Sequence, residues 1–213
     1  KLQAIRWLWE SLTKEHGLDI KCHIITEPSK RNKTVYGYNT NMLRTTTEIM
    51  SAALGSSNTI INLPYDALYH KDNEFGRRIS RNQLLILKHE SKFGEITNPT
   101  KGTYYIEYLT KQLAEKALKL FKDIEKQGGF LKQLKSGVIQ KKIKEQAQKE
   151  QHTYDTQVQE LVGIHVQQNT EDKMKPNLEL YPFVKNNPRK TLIAPIIARR
   201  IAEPIEKERL ENE

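Results

Sequence analysis

The chain has 213 residues, 37% of them hydrophobic, a formal net charge of +9 and a single cysteine. That length suits one domain of ordinary size, and no apolar run approaches the roughly 18 residues that a transmembrane helix needs. Cys22 alone cannot make an internal disulfide and fits a reducing, cytoplasmic compartment, and residues 1–18 lack the charged head and apolar core of a signal peptide.

Leu2, Ile5, Leu8, Trp9 and Leu12 recur at helical spacing, so the chain opens inside an amphipathic helix. It opens without Met, from which we expect part of a longer polypeptide to precede it. Residues 19–26 are apolar without helical period, which predicts a buried parallel strand. Asn41 is placed to cap a helix running to Leu54, with Gly55 as its left-handed stop. Residues 58–63 form a second strand closed by Pro64, residues 73–91 a third helix, and residues 94–97 a short third strand. Ile106, Leu109, Leu113, Ala117, Leu120 and Ile124 mark one stripe of a long helix that Gly128 and Gly129 end.

Residues 130–152 continue as a Lys/Gln-rich helix, and residues 159–166 suggest one more short strand. Residues 167–191, with Asn169, Pro176, Asn186, Asn187 and Pro188, have the composition of a connecting loop. Pro195 then starts a terminal helix with the stripe Ile197, Ile201 and Ile205, and Pro204 is expected to kink it. Strands separated by helices predict an α/β fold with a parallel sheet. The chain divides into 1–128 as βα units, 129–166 as a helical segment and 167–213 as a loop and terminal extension.

The positive charge raises the possibility of a basic helical module that binds nucleic acid. Residues 111–150 hold eleven Lys against five acids. The lysines are interleaved with Glu and Gln, no Arg occurs there, and aromatic groups for base stacking are nearly absent, so a solvated helix face is the better reading.

Four strings occur in a fixed order: NMLRTTTEIMSAALG at 41–55, INLPYDA at 61–67, EFGRRISRNQLLILKHES at 74–91 and NPTKGTYYIEYLT at 98–110. The order resembles the C-terminal part of the barrel domain of the adenosylcobalamin-dependent methylmalonyl-CoA mutase family, good over residues 1–150 and poor beyond. The resemblance implies the last strands and helices of a TIM-type (β/α)8 barrel, which in full needs eight strands and about 250 residues.

Against that family the chain departs at telling positions. Where catalytic members carry a strand His that polarises the substrate thioester, counting back from Asn41 and Arg44 gives Ile25; His23, two residues earlier and on the same strand face, lies about 6–7 Å away and is the candidate catalytic residue if a gap is allowed. On the second strand Asp66 matches and the His position is Ile61. An imidazole replaced by Ile leaves a ligand's polar groups unpaired, a loss of about 1–3 kcal/mol each. Asn62, Asp66, Arg78 and Arg81 remain as candidate substrate contacts, although Arg44 with Glu48 and Arg78 with Arg81 equally suit anchoring of helices to loops.

None of the six histidines sits in the Asp-x-His-x-x-Gly context from which the family ligates cobalt, and His70 with Asp66 lacks a third metal ligand. The resemblance therefore implies the small, noncatalytic subunit of a heterodimeric mutase, with adenosylcobalamin and the acyl-CoA substrate held by a catalytic large subunit, and with neither nucleic acid nor membrane as partner. A catalytic acyl-CoA mutase chain using His23 stands as the rival from another class.

Overall fold

The computed structural model describes residues 1–185 and 191–213, so the expected loop positions Asn186, Asn187 and Pro188 lie outside the described residues. Among the described residues, seven α-helices and two short strands follow one another as α1 (Leu2–Glu15), β1 (Ile25–Thr26), α2 (Thr40–Leu54), β2 (Thr59–Ile60), α3 (Glu74–His89), α4 (Tyr104–Lys126), α5 (Phe130–Lys135), α6 (Val138–Asp155) and α7 (Glu203–Asn212). The chain forms two compact units, each assembled from interleaved segments: residues 1–28, 46–62 and 81–129 in the first, residues 29–45, 63–80 and 130–213 in the second. Among the described residues no helix is long and apolar enough to cross a membrane.

In the first unit β1 and β2 pair in parallel, Ile25 opposite Thr59 and Thr26 opposite Ile60, as strands joined through a helix should. Side chains fix the register. Asn58 accepts the Ile24 N–H at 2.9 Å and a guanidinium bond from Arg6 at 2.8 Å, and the Ser57 hydroxyl donates to the Ile24 carbonyl at 3.1 Å. The expected third strand does not form. After α3, Glu90 and Ser91 both donate to the Ile86 carbonyl, Phe93 to that of Leu87 and Glu95 to that of Lys92, which is left-handed at φ 61°, so the chain turns where the strand was expected. A two-stranded parallel pair is compatible with an α/β domain; a barrel segment is not established by it.

Gly55 corrects the expected stop of α2. It is not left-handed; Ser56 is, at φ 61°. Gly55 is needed for room instead, because a Cβ there would lie 2.8 Å from a methyl of Leu2 and 3.2 Å from the Ser51 carbonyl. Helices α1 and α4 pack against each other, yet this unit buries few apolar side chains, chiefly Ala4, Ile49, Leu87 and Ala114, while Trp7, Trp9, Leu113, Leu120 and Phe121 stay exposed.

The second unit holds the main core, built from Val35, Tyr36, Leu68, Tyr69, Leu161, Ile164, Met174, Ile201 and Ala202. Five of these nine come from residues 156–213: Leu161 and Ile164 from the stretch expected to be a short strand, and Met174, Ile201 and Ala202 from the expected loop and extension. The expected strand at 159–166 is a tight turn in which Gly163, at φ 86°, donates to the Val166 carbonyl at 2.7 Å and the Leu161 N–H bonds the His165 ring. Gly163 also lies against Gly37, where a Cβ would come within 3.5 Å of backbone. The single helix expected over 130–152 is two, broken at Gly137, which takes φ 81°. The terminal helix starts at Glu203 rather than Pro195, and Pro204 occupies its first turn instead of kinking it, since a missing N–H costs nothing there.

Burial raises the phenol pKa of Tyr36, which donates to the Glu213 carboxylate, and that of Tyr69, which packs against Tyr38. A raised pKa means the fold favours the neutral phenol, so the stability it contributes is complete below the ordinary value of about 10 and is lost as pH rises beyond it. Urea midpoints should therefore fall between about pH 8 and pH 11, and the fall should shrink in Tyr69→Phe. An unchanged pH dependence in that variant would place Tyr69 outside the titration.

Candidate functional site

The strand pair and the turn that follows β2 carry the positions singled out by sequence, and they fall separately into the two units. In the first unit exposure alternates along residues 21–26, with His23 and Ile25 on the open side, as the period of an extended chain requires. His23 precedes β1, and its Nε2 lies 3.2 Å from the hydroxyl of Thr59, the first residue of β2. It thus sits on the amino side of the parallel pair, whereas reacting groups in such folds gather at the carboxyl ends of the strands. Ile25 and Ile61, 60% and 47% exposed, present apolar surface at the two positions where catalytic members of the family the chain resembles carry histidine.

Asn62 is buried at the end of β2. Its amide donates to Gln83 of α3 at 2.7 Å, and Gln83 in turn donates to the Thr46 hydroxyl of α2 at 2.7 Å. The relay joins three elements within the unit and accounts for Asn62 without a ligand. Arg81 is exposed on α3.

In the second unit Asp66 is 2% exposed. One carboxylate oxygen accepts the Asn73 amide at 2.7 Å and lies 3.4 Å from His70 Nδ1; the other packs so closely on Gly76 that a Cβ there would come within 2.6 Å. Asn73 uses its own side-chain oxygen to accept the Gly76 N–H at 2.7 Å, so Asp66 orients the residue that caps α3. Arg78 is exposed with its guanidinium 5.4 Å from the Phe75 ring centre. Arg44 donates to the Thr34 hydroxyl, the Asn41 side chain and the Val162 carbonyl at 2.7–2.9 Å, which is the anchoring role of the two considered for it. Among the described residues no three His, Cys, Asp or Glu side chains gather in a metal-sized group.

Sequence reasoning missed the groups on which this unit depends most. Asn41 does not cap α2: it is wholly buried inside the first turn, bridging Thr34 and Tyr65. Arg200 and Glu206 form a buried ion pair at 2.5 Å, and their spacing of six residues is not a helical pair. A six-residue separation across a non-helical turn leaves no periodic signal to find.

A parallel strand pair joined through a helix is compatible with an α/β domain. The chain belongs to the methylmalonyl-CoA mutase family, whose model matches residues 1–204. It is 40% identical over 148 residues to the methylmalonyl-CoA mutase small subunit of Porphyromonas gingivalis, covering 67% of this chain and 24% of that protein. It is 34% identical over 150 residues to the small subunit of Streptomyces virginiae, and 30% identical over 171 residues to the large subunit of the same P. gingivalis strain, covering 67% and 78% of this chain respectively and 24% of each relative. The chain thus spans about a quarter of the length of these relatives.

Proposed function

We propose that this chain belongs to the noncatalytic small subunit of a heterodimeric methylmalonyl-CoA mutase, and that its strands and helices are part of that family's (β/α)8 barrel. The interconversion of methylmalonyl-CoA and succinyl-CoA then takes place in the large subunit, which holds the acyl-CoA and the adenosylcobalamin. The observation that carries this reading is the pair Ile25 and Ile61: two apolar, exposed side chains stand where catalysis calls for imidazoles, while His23 lies before the strand and is held by Thr59. Within one organism the likeness to the small subunit, at 40% identity, exceeds the 30% to the large subunit, which supports the same assignment. The cofactor is placed in the partner because none of the six histidines has the Asp-x-His-x-x-Gly surroundings of a cobalt ligand. Asp66 and Asn62 are read as scaffold, Arg78 and Arg81 as surface cations. The single Cys22 fits a cytoplasmic enzyme.

The lysines of 111–150 are spread over α4, α5 and α6 and include ordinary surface pairs such as Lys141 with Glu145, which does not favour a nucleic-acid reading. The exposed apolar faces of α1 and α4 suit the large subunit, since obligate interfaces are comparatively apolar and usually bury more than about 2,000 Å².

Two measurements on the assembled enzyme test the reading. His23→Ala should leave turnover almost intact; a loss of about a hundredfold or more, the usual cost of removing a positioned acid–base or hydrogen-bonding group, would make this chain catalytic. Co-expression with the large subunit followed by size exclusion should yield a stable complex whose activity declines when this chain is omitted. A partner that is stable, B12-loaded and fully active alone would sink the proposal.

A further inference from the structure

Within the second unit, the loop at 29–31, one face of α6 and the segments 180–185 and 196–200 enclose an open cavity of about 860 Å³. That volume falls in the range that accommodates a small organic ligand. Its walls are mainly apolar and include Leu68, Ile143, Ala147, Phe183, Ile196 and Ile197. The walls are well fixed: Phe183 is buried, set edge-on to Tyr181 and covered by the Arg200 guanidinium at 5.8 Å.

The charges around this cavity are unequal. Its two carboxylates are already committed, Glu150 to Arg31 at 2.7 Å and Glu203 to the Val184 N–H at 2.6 Å, and Arg200 is neutralised by Glu206. Lys30, Lys185 and Arg199 remain at the rim, exposed, with no carboxylate partner among the described residues. Lys30 reaches only the Ala67 carbonyl at 3.4 Å and Lys185 stands over the Tyr181 ring at 5.7 Å. An apolar hollow with surplus cations at its mouth is complementary to one kind of molecule, an apolar chain or ring that ends in an anion.

We propose that this cavity is a binding site for an anionic amphiphile, with the apolar body between α6 and the Ile196–Ile197 stretch and the carboxylate or phosphate head at Lys30 and Arg199. The site is independent of the strand pair and of the proposed subunit role.

Titration calorimetry on the full chain with dodecanoate, dodecyl phosphate and dodecanol tests the site. Both anions should bind with micromolar dissociation constants that weaken with added salt, and dodecanol at least about tenfold more weakly. Preference between the two anions identifies the head group as carboxylate or phosphate. Ala147→Phe should abolish binding by filling the cavity, and Ile197→Asp, at a half-exposed position that leaves the fold undisturbed, should do the same by charge repulsion; unchanged unfolding midpoints show that each variant is folded. Lys30→Glu with Arg199→Glu should weaken the anions and not dodecanol. Equal binding of all three probes, or binding untouched by Ala147→Phe and Ile197→Asp, would move the ligand to another apolar face and overturn the proposal. So would variants that spare dodecanoate but lose the large subunit, which would make the cavity a protein-docking surface.

Discussion

Replacing Glu206 by alanine will destabilise the protein by about 3–5 kcal/mol, the usual cost of leaving one member of a buried ion pair without its partner. Glu206 is fully buried. Its carboxylate accepts the Val35 N–H at 2.6 Å and bonds Arg200, whose guanidinium also donates to the Lys33 and Pro182 carbonyls at 3.1–3.3 Å. Burial holds this carboxyl above the ordinary carboxylate range, an effect that Arg200 and the N–H groups of Val35 and Tyr36 partly offset. Removing it strands a buried cation and an unpaired N–H together. Arg200→Ala should cost a similar amount, whereas Arg200→Met with Glu206→Leu should lose less than either single change, because no uncompensated charge then remains. Urea unfolding of the four proteins reads the series directly. A loss below about 1 kcal/mol in Glu206→Ala would mean the pair does not hold α7 in place.

Asn41→Ala should be nearly as damaging, at about 3 kcal/mol or more. The side chain is wholly buried: its oxygen accepts the Thr34 N–H at 3.0 Å and Arg44 at 2.8 Å, and its amide donates to the Thr34 carbonyl at 2.8 Å and the Tyr65 carbonyl at 3.1 Å. Each buried polar group left unsatisfied costs about 1–3 kcal/mol. Asn41→Asp keeps the size and the acceptor but faces two carbonyls with an oxygen, so it should not rescue. Because Arg44 shares the network, Asn41→Ala and Arg44→Ala should be markedly non-additive. Independent effects would show that Arg44 acts through Val162 and Thr34 alone.

Much of the first 130 residues could be read from the chain itself, since its periodic apolar positions are governed by short-range geometry. The helices at 40–54 and 74–89 fall within two residues of their expected ends, and the long helix at 104–126 stops just before the glycine pair expected to end it. The parallel pairing of the first two strands followed from the helix between them. The candidate site was less legible. Sequence put Asn62 and Asp66 on the second strand, whereas both lie beyond β2, and Asn62 is held by a partner 21 residues away, Gln83.

By itself the sequence determined where the helices of the first 130 residues form, that two strands run parallel, and that the chain belongs to its family, because local period and ordered motifs are properties of neighbouring residues. Tertiary structure alone decided which residues the protein depends on. The stretch 156–213 has no helical or strand period over most of its length, but Leu161, Ile164, Met174 and Ile201 enter the core, and Arg200 and Glu206 meet Lys33 and Val35 from the other end of the chain. Irregular backbone satisfies its polar groups one at a time with distant partners, and such pairings leave no periodic mark in the sequence.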